Sequence, residues 1–118
     1  MVAKCFLVSK IGEKVEQCDG GGTITRPIYR MPDGREFFVM DLPLGAMFVK
    51  DNGSLVIRVP RTPDWSEKTF FCPDEEKDSG VGWTRTGEPP DVTVQPSVFV
   101  SPPHGGHGFI RNGEIVNA

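Results

Sequence analysis

The sequence predicts an all-β, mainly antiparallel protein: a small sandwich or partly open barrel of about eight to ten short strands joined by long Pro/Gly-rich loops. Three observations predict it. Fourteen glycines and 11 prolines are spread over 118 residues, so few windows of about a dozen residues escape both helix breakers. No stretch repeats its apolar residues with the 3.6-residue period of a helix. Short runs rich in Val, Ile, Thr and Phe, separated by turn signals, take its place.

Taken in chain order, the first strand is expected at Lys4–Ser9, meeting Lys14–Gln17 across a turn at Gly12. Gly20-Gly21-Gly22 reads as a flexible loop without side chains to pack. It is no phosphate loop, since no Lys-Ser or Lys-Thr follows it and no helix starts there. Pro32-Asp33-Gly34 separates Ile24–Arg30 from Glu36–Asp41, and Asp51-Asn52-Gly53 separates Ala46–Lys50 from Ser54–Val59; both are hairpin signals. Pro60-Arg61-Thr62-Pro63 reads as a connector, with short strands expected at Thr69-Phe70-Phe71 and Gly82–Arg85. In Asp91–Gln95 the alternation places Val92 and Val94 on one face, and Pro96 has to sit at an edge or a bend. The strongest local signal is Asn112-Gly113. Both residues tolerate the positive φ of a type I′ turn, so Arg111 faces Glu114, Ile110 faces Ile115 and Phe109 faces Val116.

One domain spanning 1–118 is expected, with residues 1–40 as a more loosely attached N-terminal part. The 13 basic and 16 acidic residues give a net charge of −3, without the basic stripe that phosphate backbones require, so nucleic acid is not an expected partner. The apolar run near the start, Cys5-Phe6-Leu7-Val8, is too short for a signal-peptide core or a membrane span. Three cysteines, Cys5, Cys18 and Cys72, with no Cys-x-x-Cys pair, suit free thiols in a reducing compartment.

Candidate chemistry is sparse. Cys72, His104 and His107 carry zinc-ligating atoms, with Asp74 as a fourth donor. The competing reading buries Cys72 as a small apolar residue and packs His107 beneath the last hairpin. Cys72 with His107 as a nucleophilic thiol–imidazole pair is a second enzyme reading. Trp65, Trp83 and Arg85 offer a stacking and anion-binding surface for a ligand, with His107 nearby; the competing reading puts Trp83 in the core and Arg85 at the surface. Phe37-Phe38 and Phe70-Phe71 are adjacent pairs. In a strand one member of each points outward and needs cover from a loop of the same chain or from a partner copy in a homo-oligomer.

Asp41-Leu42-Pro43-Leu44-Gly45-Ala46-Met47, the run from Gly82-Trp83-Thr84-Arg85-Thr86-Gly87-Glu88-Pro89-Pro90 through Asp91-Val92-Thr93-Val94-Gln95-Pro96-Ser97, and His107-Gly108-Phe109-Ile110-Arg111-Asn112-Gly113 form an ordered trio. The trio resembles a group of small phage and prophage proteins of unknown function, over roughly residues 41–114. That resemblance implies a viral or prophage origin and supplies no activity. Some similar proteins carry extra Cys and His residues between the positions of Cys72 and Trp83, where this chain has Ser79-Gly80-Val81-Gly82. The expected function is a non-enzymatic phage accessory protein that binds a host or viral protein, or a small-molecule ligand, in host cytoplasm, with counter-defence as its purpose. The alternatives are a virion component such as a capsid decoration protein, and a small zinc- or thiol-dependent enzyme. No cofactor other than that zinc is expected.

Overall fold

The computed structural model describes residues 2–61, 64–74, 77–78, 81–98 and 108–117. Their strands are β1 (Val2–Lys4), β2 (Phe6–Leu7), β3 (Ser9–Gln17), β4 (Thr23–Arg30), β5 (Glu36–Phe38), β6 (Ala46–Val49), β7 (Leu55–Pro60), β8 (Lys68–Phe71), β9 (Lys77–Asp78), β10 (Val81–Gly82), β11 (Thr84–Thr86), β12 (Thr93–Val98), β13 (Gly108–Arg111) and β14 (Glu114–Asn117). A 3-10 turn, Val39–Asp41, follows β5. The chain is all-β. A five-stranded sheet runs β1-β14-β13-β12-β11, a four-stranded sheet β2-β6-β7-β8 and a three-stranded sheet β3-β4-β5, with β9 and β10 as a separate small ladder. None closes into a barrel, so the sandwich is the form realised.

Three hairpins follow the turn chemistry of the sequence. In β13–β14 the partners are Arg111 with Glu114, Ile110 with Ile115 and Phe109 with Val116, and Asn112 and Gly113 carry φ of 49° and 76°. Both signs are those of a type I′ turn. Pro32-Asp33-Gly34 joins β4 to β5, where the Asp33 carboxylate accepts from the Arg35 backbone N–H, and Asp51-Asn52-Gly53 joins β6 to β7. Pro96 lies beyond the three residues of β12 that pair with β11, inside the register shift between Val94 and Val98 on the β13 side. That is the bend a proline requires.

The expected pairing of Lys4–Ser9 with Lys14–Gln17 does not form. The early residues are taken by other neighbours: β1 pairs with β14, and β2 runs parallel to β6. Between them the Cys5 N–H donates to the Gly113 carbonyl at 2.7 Å, so the start of the chain crosses from one sheet to the other. Gly12 carries no positive φ and sits beside a bulge inside a continuous β3. The reversal falls at Gly20, Gly21 and Gly22, whose φ values of 86°, 96° and 91° are open to glycine and costly for other residues. Gly82–Arg85 is likewise not one strand but the end of β10 and the start of β11.

The core explains the layering. Met47, Leu55, Ile57, Val59 and Phe71 of the four-stranded sheet pack with Val94, Ile110 and Ile115 of the five-stranded sheet, and Val92 joins them from just before β12. Alternation sends Ala46 and Phe48 to the opposite face of β6, where Ala46 belongs to a second cluster with Val8, Tyr29, Met31 and Leu42 and Phe48 packs against it. The four-stranded sheet is therefore covered on both faces, and every residue of β7 is buried.

One of those residues is Arg58, 5% exposed. Its Nη2 donates to the Met40 carbonyl at 2.8 Å and its Nε to the Leu42 carbonyl at 3.2 Å, while its guanidinium carbon lies 4.2 Å from the Phe70 ring centroid. Burial lowers the pKa of this group and the nearby Asp41 carboxylate opposes the shift. Arg58→Met keeps the stem but leaves two carbonyls without their charged donor, and is expected to cost about 3 kcal/mol in urea denaturation. The glycine turns give a second test. Alanine at Gly113 places a Cβ 2.7 Å from the Pro90 carbonyl oxygen, while at Gly34, with φ of 93°, it meets open space. Gly34→Ala is expected to cost about 1 kcal/mol for its φ, and Gly113→Ala clearly more.

Candidate functional site

Beyond the body, β3 and β4 run on as a two-stranded arm. Their ladder extends from Ser9 opposite Arg30 to Gln17 opposite Thr23. β5 accompanies β4 only from Ile28 to Arg30. From Gly12 to Gln17 every residue of β3 is exposed except half-buried Glu16, and residues 23–26 of β4 are exposed too. The radius of gyration, 15.2 Å, exceeds the roughly 13.5 Å of a compact chain of this length, as a projecting arm requires.

Little packing holds the arm. Its ion pairs, Lys14–Glu16 and Arg26–Glu16 at 3.4 Å and Lys10–Glu13 at 2.7 Å, are largely exposed and contribute little each. Ile11, Val15 and Ile24 nonetheless present apolar surface, with Val15 61% exposed. Isolated two-stranded ribbons are marginal in water. A ribbon that carries apolar side chains away from the core has surface to offer to something else.

At the root of the arm lies an open groove of about 590 Å³. Tyr29 and Phe48, with ring centroids 4.6 Å apart, form an aromatic wall, and Lys10, Lys50, Asp51 and Asn52 contribute polar lining. Burial raises the Tyr29 pKa, with the Lys10 charge pulling the other way, so the phenol stays protonated at neutral pH. The Asn52 side-chain oxygen accepts from the Ser54 N–H at 2.9 Å, which shapes the turn at the groove's lip.

The residues singled out from the sequence are placed as follows. Trp83 packs edge-on against Phe71 at 5.0 Å and 85°, beside the main core, and Trp65 packs against the same cluster. Arg85 grips Asp74 with two contacts, Nε to Oδ1 at 3.1 Å and Nη2 to Oδ2 at 3.0 Å. Oδ2 also accepts the Leu55 N–H at 2.9 Å, so this pair ties β11 to β7. The expected fourth zinc donor is thus engaged with protein partners. Cys72 is half-buried and forms no disulfide. His104 and His107 lie outside the described residues, among which no three His, Cys, Asp or Glu side chains gather as a metal site needs. Among the same residues no helix is long and apolar enough to cross a membrane.

The phenylalanine pairs find their cover within the chain. Arg35 lies over Phe37 at 5.6 Å, Arg26 over Phe38 at 5.7 Å and Arg58 over Phe70 at 4.2 Å, while Phe71 is buried. Sequence reasoning missed the arm and the groove. The signal available was the polar, apolar-spotted run Ser9–Gln17 next to three consecutive glycines, which a hairpin with no buried face would show. Comparison with protein-family models, curated proteins and solved structures gives no match to this chain.

Thiol chemistry can be tested at Cys5. Burial, with the Glu114 carboxylate adding to it, pushes this thiol from 9.0 up to about 12. The folded state then holds a proton that the unfolded chain gives up, so stability falls as pH rises from the unfolded value toward the folded one. The stability advantage of the native chain over Cys5→Ala is expected to narrow between about pH 8 and about pH 11, measured by urea denaturation. An advantage that stays constant over that range would count against the shift.

Proposed function

We propose that this chain is a non-enzymatic phage accessory protein that acts by binding another protein, with the β3–β4 arm as its contact element and the groove at the root as a secondary anchor. The observation that carries the reading is the arm itself. It carries apolar Val15 on one face and Ile24 on the other into solvent and contributes little to the core, and we read its length as serving a contact outside the fold. The phage origin comes from the resemblance of residues 41–114 alone. A host protein is the favoured partner class. Docking on a virion surface is the second reading, favoured by the same arm, because a projecting ribbon can lie across neighbouring subunits.

The experiment replaces residues 13–27 with Asn-Gly, which joins the paired positions Gly12 and Ile28 by a two-residue turn. Folding stability is expected to fall by no more than about 2 kcal/mol, because the excised residues are mostly exposed and Arg26 gives up its contact over Phe38. In infected cells, crosslinks from Lys10 to other proteins are expected to disappear with the arm. If the shortened chain keeps every crosslink of the native one, the arm is not the contact element. Crosslinks to capsid or tail proteins, with copurification in virions, would select the second reading.

A further inference from the structure

The arm's outer edge specifies a partner. β3 has β4 on one side, and among the described residues nothing covers its other side from Gly12 to Gln17. Which backbone groups face outward follows from the turns. The Cys18 N–H donates to the Gly22 carbonyl, so Cys18 and Gly22 are a bonded pair. Antiparallel ladders alternate, which makes Glu16·Ile24, Lys14·Arg26 and Gly12·Ile28 bonded and leaves Gln17, Val15 and Glu13 with N–H and C=O directed away from β4. The other end of the sheet gives the same phase. The Met31 N–H donates to the Arg35 carbonyl, so Tyr29 bonds toward β5 and Ile28 toward β3. Pro27 then falls where no N–H is needed by β3, as a proline inside a ladder must.

Pro27 also spoils the free edge of β4, which lacks a donor at that position. The β3 edge has no proline, and its outward groups at 13, 15 and 17 form an intact template. Two identical strands pair antiparallel about a twofold axis, and the phase allows that axis only at a residue, not between residues. Centred on Lys14, two ammonium groups face each other. Centred on Glu16, two carboxylates do. Centred on Val15, the two valines meet, Glu13 faces Gln17, and Lys14 faces Glu16 on both sides of the axis. Charges on an open edge usually deter pairing. Of the three axes at the central residues 14, 15 and 16, their order admits one.

We propose that two copies of this chain associate by antiparallel pairing of their β3 edges, with Val15 opposite Val15 of the second copy and Lys14 opposite its Glu16. The two arms become one continuous sheet. Val15, Glu13 and Gln17 exchange backbone hydrogen bonds across the junction. Lys14 and Glu16 fall at the non-bonded pairs, where Cα atoms approach to about 4.5 Å and side chains meet closely. The inference rests on the arm being a contact element and names what one of its edges contacts.

Sedimentation equilibrium tests it. The native chain is expected to be a dimer in reversible equilibrium. Val15→Pro removes an outward N–H and no bond to β4, as Pro27 already does on the other strand, and is expected to leave a monomer with an unchanged circular-dichroism spectrum. Lys14→Glu and Glu16→Lys each put like charges on both sides of the axis and are expected to weaken association by about tenfold. Mixing those two variants is expected to restore it as a heterodimer, because their facing positions then carry opposite charges. A native chain that stays monomeric up to about 1 mM overturns the proposal, as does a dimer indifferent to Val15→Pro and to both charge reversals. The two ideas fail separately. A monomer whose arm-shortened form still loses its cellular crosslinks sinks the dimer alone, and an arm-shortened form that keeps them all sinks the arm's role.

Discussion

The four-stranded sheet has to be dry on both sides, and Arg58 is where that constraint meets a charge. β7 runs through the middle of this layer with Leu55, Ile57 and Val59 turned toward the five-stranded sheet. Its opposite face meets the segment that follows the third sheet, where the chain turns through Val39–Asp41 and leaves carbonyls at Met40 and Leu42. The Leu42 carbonyl there is buried and the Met40 carbonyl partly so, and neither belongs to a strand. The guanidinium supplies donors to both, and its flat face covers Phe70. The same strand fixes the next turn through its own backbone, since the Gly45 N–H donates to the Arg58 carbonyl at 2.9 Å. One residue thus links the irregular segment, the turn into β6, β7 and β8, and Leu42 shares a cluster with Val8 and Tyr29 near the root of the arm.

Much of this architecture is legible in the sequence where one residue type has one physical solution. Asn112-Gly113 dictates a hairpin with a single register, and the alternation of Val92 and Val94 gives the buried face correctly. The start of the chain was not legible. β1 and β2 are too short to carry a pattern of their own, and their partners lie far away in sequence, at β14 and β6. Gly12 looked like a turn because glycine is permissive, but permission is not a requirement. The arm was hidden for a related reason. A strand exposed on both faces has no hydrophobic alternation to announce it, and only pairing with Thr23–Arg30 makes it a strand.

Cation–aromatic contact recurs as the means by which adjacent phenylalanines are accommodated. A strand must point one of two neighbours away from the core, and here arginines lie over Phe37, Phe38 and Phe70. An arginine does this well because its planar head is weakly hydrated and stacks while its edge stays available for hydrogen bonds. Arg85 is the contrasting case. Its guanidinium is engaged edge-on by Asp74, a carboxylate that also accepts the first N–H of β7. Nearby residues of one type therefore take up distinct duties according to the acceptors around them.

The pairing of β1 with β14 sets an order on biosynthesis. Residues 2–4 leave the ribosome well before residues 114–116, the strand they lie against. Until residues 114–116 emerge, the N-terminal segment has no edge to join, and the five-stranded sheet lacks its border. Contacts this distant along the chain close slowly, because a loop of about a hundred residues must first be brought together. The nascent chain accordingly holds β1 unmoored until the β13–β14 hairpin gives it an edge.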